Sequence, residues 1–335
     1  MKAVIPVAGI GTKLRPHTYT HPKPLIPVAG KPILSYIIEH LLESGIENFV
    51  FIVGYLGDKI IDFVNNKFPE IKAEFVLQKY RDGLGHAVYS AKEVIDNEEI
   101  IIVLGDTIVD SDIKELLHSK TSSIGIKKVE DPRCFGVAIL DDNNLVTDLE
   151  EKPNIPISNL ALVGLYKILE TEKLMKSIFY LIENNIRTNG EFHLTDALNY
   201  MVKEFDTKIK AVTINNWFDL GKREILLETN AILLKKHKKN VESCVHCENT
   251  IILQPVYIAK NTVIKNSIIG PNVSIGENAK INYSILTDSI IGDYTELNNV
   301  QLNNSIIGND AIIKGNTQSL NIGDNTEIDL RGTNN

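Results

Sequence analysis

Between Ala3 and Pro32 the chain reads AVIPVAGIGTKLRPHTYTHPKPLIPVAGKP. Lys13, Arg15, Lys23 and Lys31 are spaced among Pro16, Pro22, Pro24, Pro27 and Pro32. Prolines at that density forbid an α-helix, because each removes a backbone donor and clashes with the preceding turn. The cations therefore ride on a stiff, irregular loop. Just before them, the Gly-rich turn Ala8-Gly9-Ile10-Gly11-Thr12 follows the apolar run Ala3-Val4-Ile5-Pro6-Val7, which reads as a buried strand. Small glycines let backbone N–H groups close on an anion, and the nearby cations neutralise it. The bland alternative is a solvated basic surface loop. A connection this long is uncommon unless it has a function, and the protein as a whole is acidic, so the stretch reads as a polyphosphate site.

Two aspartates stand at apolar-to-turn junctions. Asp106 follows Ile100-Ile101-Ile102-Val103-Leu104-Gly105 directly, and Asp219 lies between Phe218 and Leu220-Gly221. Either alone suits an ordinary turn. Together, near a phosphate loop, they suit Mg2+, which takes one or two carboxylates plus phosphate oxygens. Without a cation, a carboxylate about 4 Å from a phosphate charge would cost roughly 4 kcal/mol at intermediate dielectric. Gly9-Ile10-Gly11-Thr12-Lys13-Leu14 is not a dinucleotide fingerprint: Leu14 replaces the third Gly, and Pro16 stops a helix from opening. Gly30-Lys31-Pro32 lacks the Ser or Thr of a P-loop. Cys244-Val245-His246-Cys247 has no second ligand pair, so a linker thiol pair is expected there rather than zinc.

These residues need a frame to hold them. From residue 1 to about 125, apolar strands alternate with amphipathic helices. A helix is expected over 33–44, with Ile33, Ile37, Ile38, Leu41 and Leu42 on one face and Gly45 ending it. Strands follow at 49–53, 73–77 and 100–104, and helices at 58–68 and 86–94. The alternation predicts an α/β, Rossmann-like, mainly parallel mixed sheet, with ligands beyond the carboxyl ends of its strands. Gly9, Gln78 and Asp106 fall at or just past such ends. From 123 to 166 strands and turns dominate, with Asp141-Asp142-Asn143-Asn144 as a hairpin loop. Helices return at 169–184, 194–204 and 223–236, and a strand is expected at 210–214. The basic run from Lys235 to Lys239 suits a helix C-terminus and needs no further role.

After about Thr250, Ile or Leu recurs every five or six residues, from Ile252, Ile258 and Ile264 through to Ile307 and Ile313. Ile-Gly pairs at 269, 275, 291, 307 and 322 punctuate the run. Hexapeptide spacing of this kind predicts a parallel β-helix whose turns need Gly or Asn. The expected domains are therefore 1–240 and 241–335. A solenoid must be capped or packed against something, so a homo-oligomer is expected.

The chain has 335 residues and 43% hydrophobic content, enough for two globular domains. Its net charge of -8, from 43 acidic and 35 basic residues, argues against nucleic acid as the main partner. No apolar run is long enough to span a bilayer. Met1-Lys2 and the run after it mimic a signal peptide, but the run breaks at Gly9 and no small-x-small cleavage site follows. A cytoplasmic protein without a membrane partner is expected. Cys134, Cys244 and Cys247 make no disulfide framework.

An ordered set of motifs now stands out: PVAGIGTKLRPHT with KPLIPVAGKP, Gln78 with Gly83-Leu84-Gly85-His86-Ala87, Leu104-Gly105-Asp106, Phe135-Gly136-Val137, Glu150-Glu151-Lys152-Pro153, Ser158 to Tyr166, and Trp217-Phe218-Asp219-Leu220-Gly221. The set resembles the sugar-1-phosphate nucleotidylyltransferases, especially the long-form glucose-1-phosphate thymidylyltransferases with a left-handed β-helix tail. The resemblance covers nearly the whole chain and rests on the order of the pieces, not on any one of them. It implies that Ala8, Gly9, Gly11 and Thr12 wrap a nucleoside triphosphate, while Lys13, Arg15 and Lys23 neutralise the departing pyrophosphate. It implies that Gln78 and Gly83 read the base and that Asp106 and Asp219 hold Mg2+. It gives Glu151 the sugar hydroxyls, Lys152 the sugar phosphate, and Gly136, Leu162 and Tyr166 the walls of the sugar pocket. The implied reaction is attack of a sugar-1-phosphate oxygen on the α-phosphorus of dTTP or UTP.

The chain departs from the family pattern in places. Lys13 stands where the family usually has Arg, and lysine lacks the bidentate fork. Asn189 replaces an Arg before Gly190-Glu191, and Arg187 is the nearest one left. His193 replaces a usual Glu and reads as a helix-entry packing residue, and His86 reads as capping or packing at its helix start. Pro6 to Gly9 and Gly83 to Ala87 look closer to UTP–glucose-1-phosphate uridylyltransferases, whereas Trp217, Asp219 and the tail look closer to the thymidylyl enzymes. A regulatory or scaffold homologue would have lost Asp106, Asp219 or the loop cations, and all are present. An acyltransferase in the tail would need a histidine among the repeats, and the last histidine is His246.

Overall fold

The run Ile100-Ile101-Ile102-Val103 has no polar face, so it is stable only with both faces covered. In the computed structural model, which describes residues 1–236 and 245–315, that run is a fully buried strand in the middle of a nine-stranded sheet. The chain divides into two units, Met1–Lys236 and His237–Asn335. The first unit opens with β1 (Lys2–Pro6), two short strands β2 (Pro27–Val28) and β3 (Lys31–Pro32), α1 (Ile33–Glu43), β4 (Asn48–Val53), α2 (Gly57–Lys67) and β5 (Lys72–Leu77). It continues through α3 (Leu84–Ser90), α4 (Lys92–Ile95), β6 (Ile100–Val103), β7 (Thr107–Val109), α5 (Lys114–Leu117), β8 (Ser122–Lys128), β9 (Gly136–Leu140), β10 (Val146–Glu151) and β11 (Leu160–Ile168). It ends with α6 (Thr171–Glu183), α7 (Leu194–Glu204), β12 (Ile209–Thr213), β13 (Trp217–Asp219) and α8 (Arg223–Lys236).

The sheet order is β10-β9-β11-β6-β1-β4-β5, with β8 beside β11 and β12 beside β8. β1 runs parallel to β4 and β6, and β4 parallel to β5, as the βα alternation predicts. β11 runs antiparallel to β6, β8 and β9, so the other half of the sheet is mixed. Alternate side chains face opposite ways along a strand. Val4, Val50, Ile52, Ile100 and Ile102 accordingly share one core with Val88 of α3, Leu174 and Ile178 of α6, and Leu198 and Met201 of α7. In α1, Ile33, Ile37, Ile38 and Leu41 are buried and Leu42 is half-buried. The helix expected over 86–94 is two short ones, α3 and α4, which meet at Ala91.

In the second unit three short parallel sheets stack coil upon coil, as in the ladders from His246–Glu248 to Val263–Lys265 to Lys280–Asn282. Equivalent residues lie 17 or 16 positions apart. This is a parallel β-helix, consistent with the left-handed form that the resemblance implies. Every aliphatic residue of the period, from Ile252 to Ile313, belongs to its core. Cys244, His237 to Lys239 and Ile322-Gly323 lie outside the described residues. Among those described, no helix is long and apolar enough to cross a membrane.

Candidate active site

β1 ends at Pro6, and the loop beyond it folds back on itself. Gly11 adopts φ +70, where a Cβ would lie 2.9 Å from the Cβ of Lys23, so glycine is what lets the two segments close. The Thr18 hydroxyl donates to the Gly11 carbonyl at 2.8 Å and fastens the fold-back. The proline-rich loop forms three short 3-10 turns, Thr12–Leu14, His17–Tyr19 and Lys23–Leu25, and no α-helix. Ala8, Gly9, Gly11, Thr12 and Lys23 thereby meet Gln78 and Gly83 around a cavity of about 570 Å³. The Gln78 side-chain amide donates to the Gly83 carbonyl at 3.2 Å and lies 3.3 Å from His86 Nδ1. His86, expected only to cap or pack, thus touches the residue expected to read the base. Gly83 has φ +102, and a Cβ there would sit 2.5 Å from the Phe192 carbonyl oxygen. The same carbonyl accepts the Gly85 N–H at 2.8 Å, and Phe192 N–H donates to the Asp82 carbonyl at 2.8 Å.

The aspartates are brought together by a small ribbon. β7 pairs antiparallel with β13, which sets Asp219 opposite Thr107, and Leu220 N–H donates to the Asp106 carbonyl at 3.1 Å. Lys23 Nζ donates to Asp106 Oδ2 at 2.5 Å. Burial pushes the Asp219 carboxyl above the ordinary carboxylate range and the Asp106 charge adds to this, while Lys23 and Lys13 pull it back. Two close carboxylates, one of them desolvated, are a donor set that a hard divalent cation would relieve. Among the described residues no group of three or more His, Cys, Asp or Glu side chains is placed to hold a metal.

A second cavity, of about 400 Å³, shares Gly11, Thr12, Lys23 and Asp106 with the first and adds Lys13, Gly136, Glu151, Lys152, Leu162, Tyr166 and Asp219. Glu151 ends β10 opposite Gly136 of β9. Its Oε2 accepts from the Thr195 hydroxyl at 2.6 Å, and its Oε1 lies 3.2 Å from Lys152 Nζ and 3.4 Å from His193 Nδ1. A Cβ on Gly136 would come 3.0 Å from Glu151 Oε2 and 2.9 Å from Thr195 Oγ1, so the glycine leaves room for both. The Tyr166 hydroxyl is held far above its ordinary pKa by burial and by the charges of Glu151 and Asp106, so it stays protonated.

Nearly all the residues singled out from the sequence line these two adjoining cavities. Arg15 and Lys31 are the exceptions. Arg15 is exposed, with its guanidinium 4.9 Å from the centre of the Tyr19 ring, and Lys31 Nζ pairs with Glu39 at 2.7 Å; neither is in the lining of either cavity. Arg187, the nearest Arg to position 189, also lines neither cavity. It is 4.0 Å from the Phe192 ring and donates to the Gly190 carbonyl at 3.0 Å. Asn189 takes φ +51, a left-handed turn that asparagine tolerates. Thr195, Trp217 and His193 line the second cavity without having been assigned to it. Their signal was position: Thr195 and His193 sit at the start of α7, and Trp217 sits two residues before Asp219.

The nucleotidyl transferase family model matches residues 2–236. The chain belongs to that family. This nucleotidyltransferase is 40% identical over 265 residues to a protein of Methanocaldococcus jannaschii named bifunctional protein GlmU, covering 78% of the chain and 61% of that relative. It is 35% identical to a protein of the same name from Methanococcus vannielii, covering 99% of the chain and 84% of the relative. A glucose-1-phosphate thymidylyltransferase of Streptomyces griseus is 30% identical, with 87% of each chain covered. A solved structure of UDP-glucose pyrophosphorylase complexed with UDP-glucose superposes with a TM-score of 0.63 at 27% identity, covering 70% of this chain and 99% of that one.

Proposed function

We propose that this nucleotidyltransferase moves a nucleotidyl group from dTTP or UTP to a sugar-1-phosphate, glucose-1-phosphate being the first candidate, and releases pyrophosphate. One observation carries the reading: Lys23 and Asp106, in ion contact, stand in the wall shared by a glycine-lined cavity and a cavity that holds Glu151 and Lys152. The glycine-lined side suits a triphosphate, whose charges backbone N–H groups and Lys13 and Lys23 would meet. Glu151 would accept from sugar hydroxyls, and Lys152 would hold the sugar phosphate. Arg15, which lines neither cavity, would meet the pyrophosphate only as it leaves.

The attacking phosphate oxygen is already ionised at neutral pH, so the site needs no general base. Its work is alignment of two anions and neutralisation of charge. Asp106 and Asp219 would hold Mg2+, which when bound supplies a counter-charge to the phosphates. Lys23 is paired with Asp106 in the protein alone, and that pair must rearrange as phosphate enters. The one histidine of the described β-helix, His246, which the sequence had placed before the repeats, lies exposed in the first coil, and the β-helix is read as a structural or assembly element in a homo-oligomer.

The direct test is pyrophosphate release from a matrix of nucleoside triphosphates and sugar-1-phosphates with Mg2+ present. Asp106→Asn should lower turnover by roughly 10²–10³-fold, the usual loss for one charge-stabilising group. Unchanged turnover in that variant would end the two-aspartate account, and no pyrophosphate from any pair would end the reaction itself. The matrix also separates UTP from dTTP, which the base-side glycines do not do on their own: one methyl is worth only about 1–3 kcal/mol.

A further inference from the structure

His193 enters α7 as its N-cap and is 6% exposed, yet its Nε2 is buried without a hydrogen-bond partner. An unpaired buried polar atom is costly. On the other side of the ring, Nδ1 lies 3.4 Å from Glu151 Oε1. The orphaned Nε2 lies 4.0 Å from Glu191 Oε2. Glu191 lines both cavities, and Glu151 lines the sugar-side one. The imidazole therefore stands between two carboxylates, one in each functional wall. Lys152 touches the same Glu151 oxygen at 3.2 Å. Asp196, one turn on in α7, is a third acid beside the ring: burial raises its pKa, and its Oδ2 is also without a partner.

We propose that His193 is a positioning residue for the sugar-1-phosphate, with Nδ1–H holding Glu151. A carboxylate offers about four acceptor positions. The Thr195 hydroxyl donates to Oε2 of Glu151, and Lys152 and His193 both stand against Oε1, which fixes the carboxylate and leaves acceptor positions for sugar hydroxyls. The 191–193 backbone is also the surface on which Gly83 and Gly85 rest, so a base seated at Gly83 presses on the same segment.

This inference rests on the proposed reaction and is tested in an enzyme that has first been shown to release pyrophosphate. KM for the sugar-1-phosphate and KM for the nucleotide are measured for the parent and each variant at one pH. His193→Ala should raise KM for the sugar phosphate by roughly tenfold or more, with a much smaller change in KM for the nucleotide. His193→Asn, whose amide reproduces the Nδ1 donor, should recover most of that loss. Long-range proton–nitrogen NMR of the imidazole should show a proton on Nδ1. An unchanged KM for the sugar phosphate in His193→Ala, a His193→Asn variant no better than His193→Ala, or an Nε2–H tautomer with Nδ1 bare would overturn the proposal even if the enzyme is fully active. Absence of activity with every sugar phosphate would instead count against the reaction.

Discussion

Burial and the neighbouring Asp106 both hold the Asp219 carboxyl above the ordinary carboxylate range. The folded chain therefore binds that proton more tightly than the unfolded chain does. Ionising Asp219 costs stability. The cost is absent below the unfolded-state pKa of about 3.9, grows as pH rises through the folded value, and is complete above it. Asp219→Asn removes the cost, so the metal-free variant should melt above the parent at pH 7, with the gap closing towards about pH 4. Mg2+ should raise the parent's Tm, by the equivalent of about 2.7 kcal/mol at a hundredfold excess over Kd, and should leave the variant's Tm nearly unmoved. Thermal scans with and without Mg2+ decide this, and equal melting of both proteins at neutral pH would contradict it. Gly83 is a second case of chemistry set by one residue. A methyl there meets the Phe192 carbonyl oxygen at 2.5 Å in a backbone region that L-residues avoid. Gly83→Ala should cost about 1–3 kcal/mol of stability and weaken nucleotide binding, as read by denaturation and by KM for the triphosphate.

The corners of the β-helix show what the sequence could and could not say about elements. Left-handed backbone recurs at Asn249, Asn266, Tyr283 and Asn299, at Asn272, Asp288 and Asn304, and at Asn261, Asn278, Tyr294 and Asp310. Asparagine suits these corners because it tolerates positive φ and because its amide can bond the next coil: Asn249 Nδ2 donates to Asn266 Oδ1 at 3.2 Å. The Ile-Gly pairs read from the sequence have another cause at two of these sites. Gly276 and Gly292 are not at positive φ, and a side chain there would collide with Asp293 and Asn309. Those two side chains accept the N–H groups of Glu277 at 2.7 Å and Asp293 at 2.9 Å, so these glycines leave room for a cap. Tyr283 and Tyr294 break the rule while more than half exposed, so nothing in packing offsets their strain. Tyr283→Asn should stabilise the β-helix by about 1 kcal/mol, whereas Tyr283→Ala keeps the strain and should not. Denaturant titrations of the two variants separate strain from side-chain loss. In the first unit, α7 and α8 begin and end where the sequence places them. The role of β11 was not legible, because a strand buried along nearly its whole length announces burial but not the direction of its neighbours.

At the scale of the molecule, the sequence revealed the parts of the site in order but not the device that joins them. Lys23, Asp106 and Asp219 were readable as a charge cluster from residue type and strand ends. Their meeting depends on the β7–β13 ribbon, whose strands are three residues each and too short to carry a period. That Arg15 lines neither cavity was not legible, because a Pro-rich loop fixes stiffness but not the direction in which each cation points. All residues lining the two cavities lie in Met1–Lys236, and each unit has its own apolar core. Damage to the β-helix core should therefore leave the chemistry intact. Ile281 is 1% exposed in that core. Ile281→Ala should cost the second unit about 2–5 kcal/mol, and because each coil rests on its neighbours the loss should reach the coils on either side. Trp217 is the only tryptophan and lines the cavity that holds Glu151 and Lys152, so its fluorescence reports the first unit alone. In Ile281→Ala the fluorescence transition should hold its midpoint, with KM for both substrates within about twofold of the parent, while the circular-dichroism transition of the strands moves to lower denaturant. Ile102→Ala, in the core of the first unit, should do the reverse. A Trp217 transition that shifts in step with the β-helix in Ile281→Ala would mean that the two cores unfold as one, and the site could then not be treated as the property of one unit.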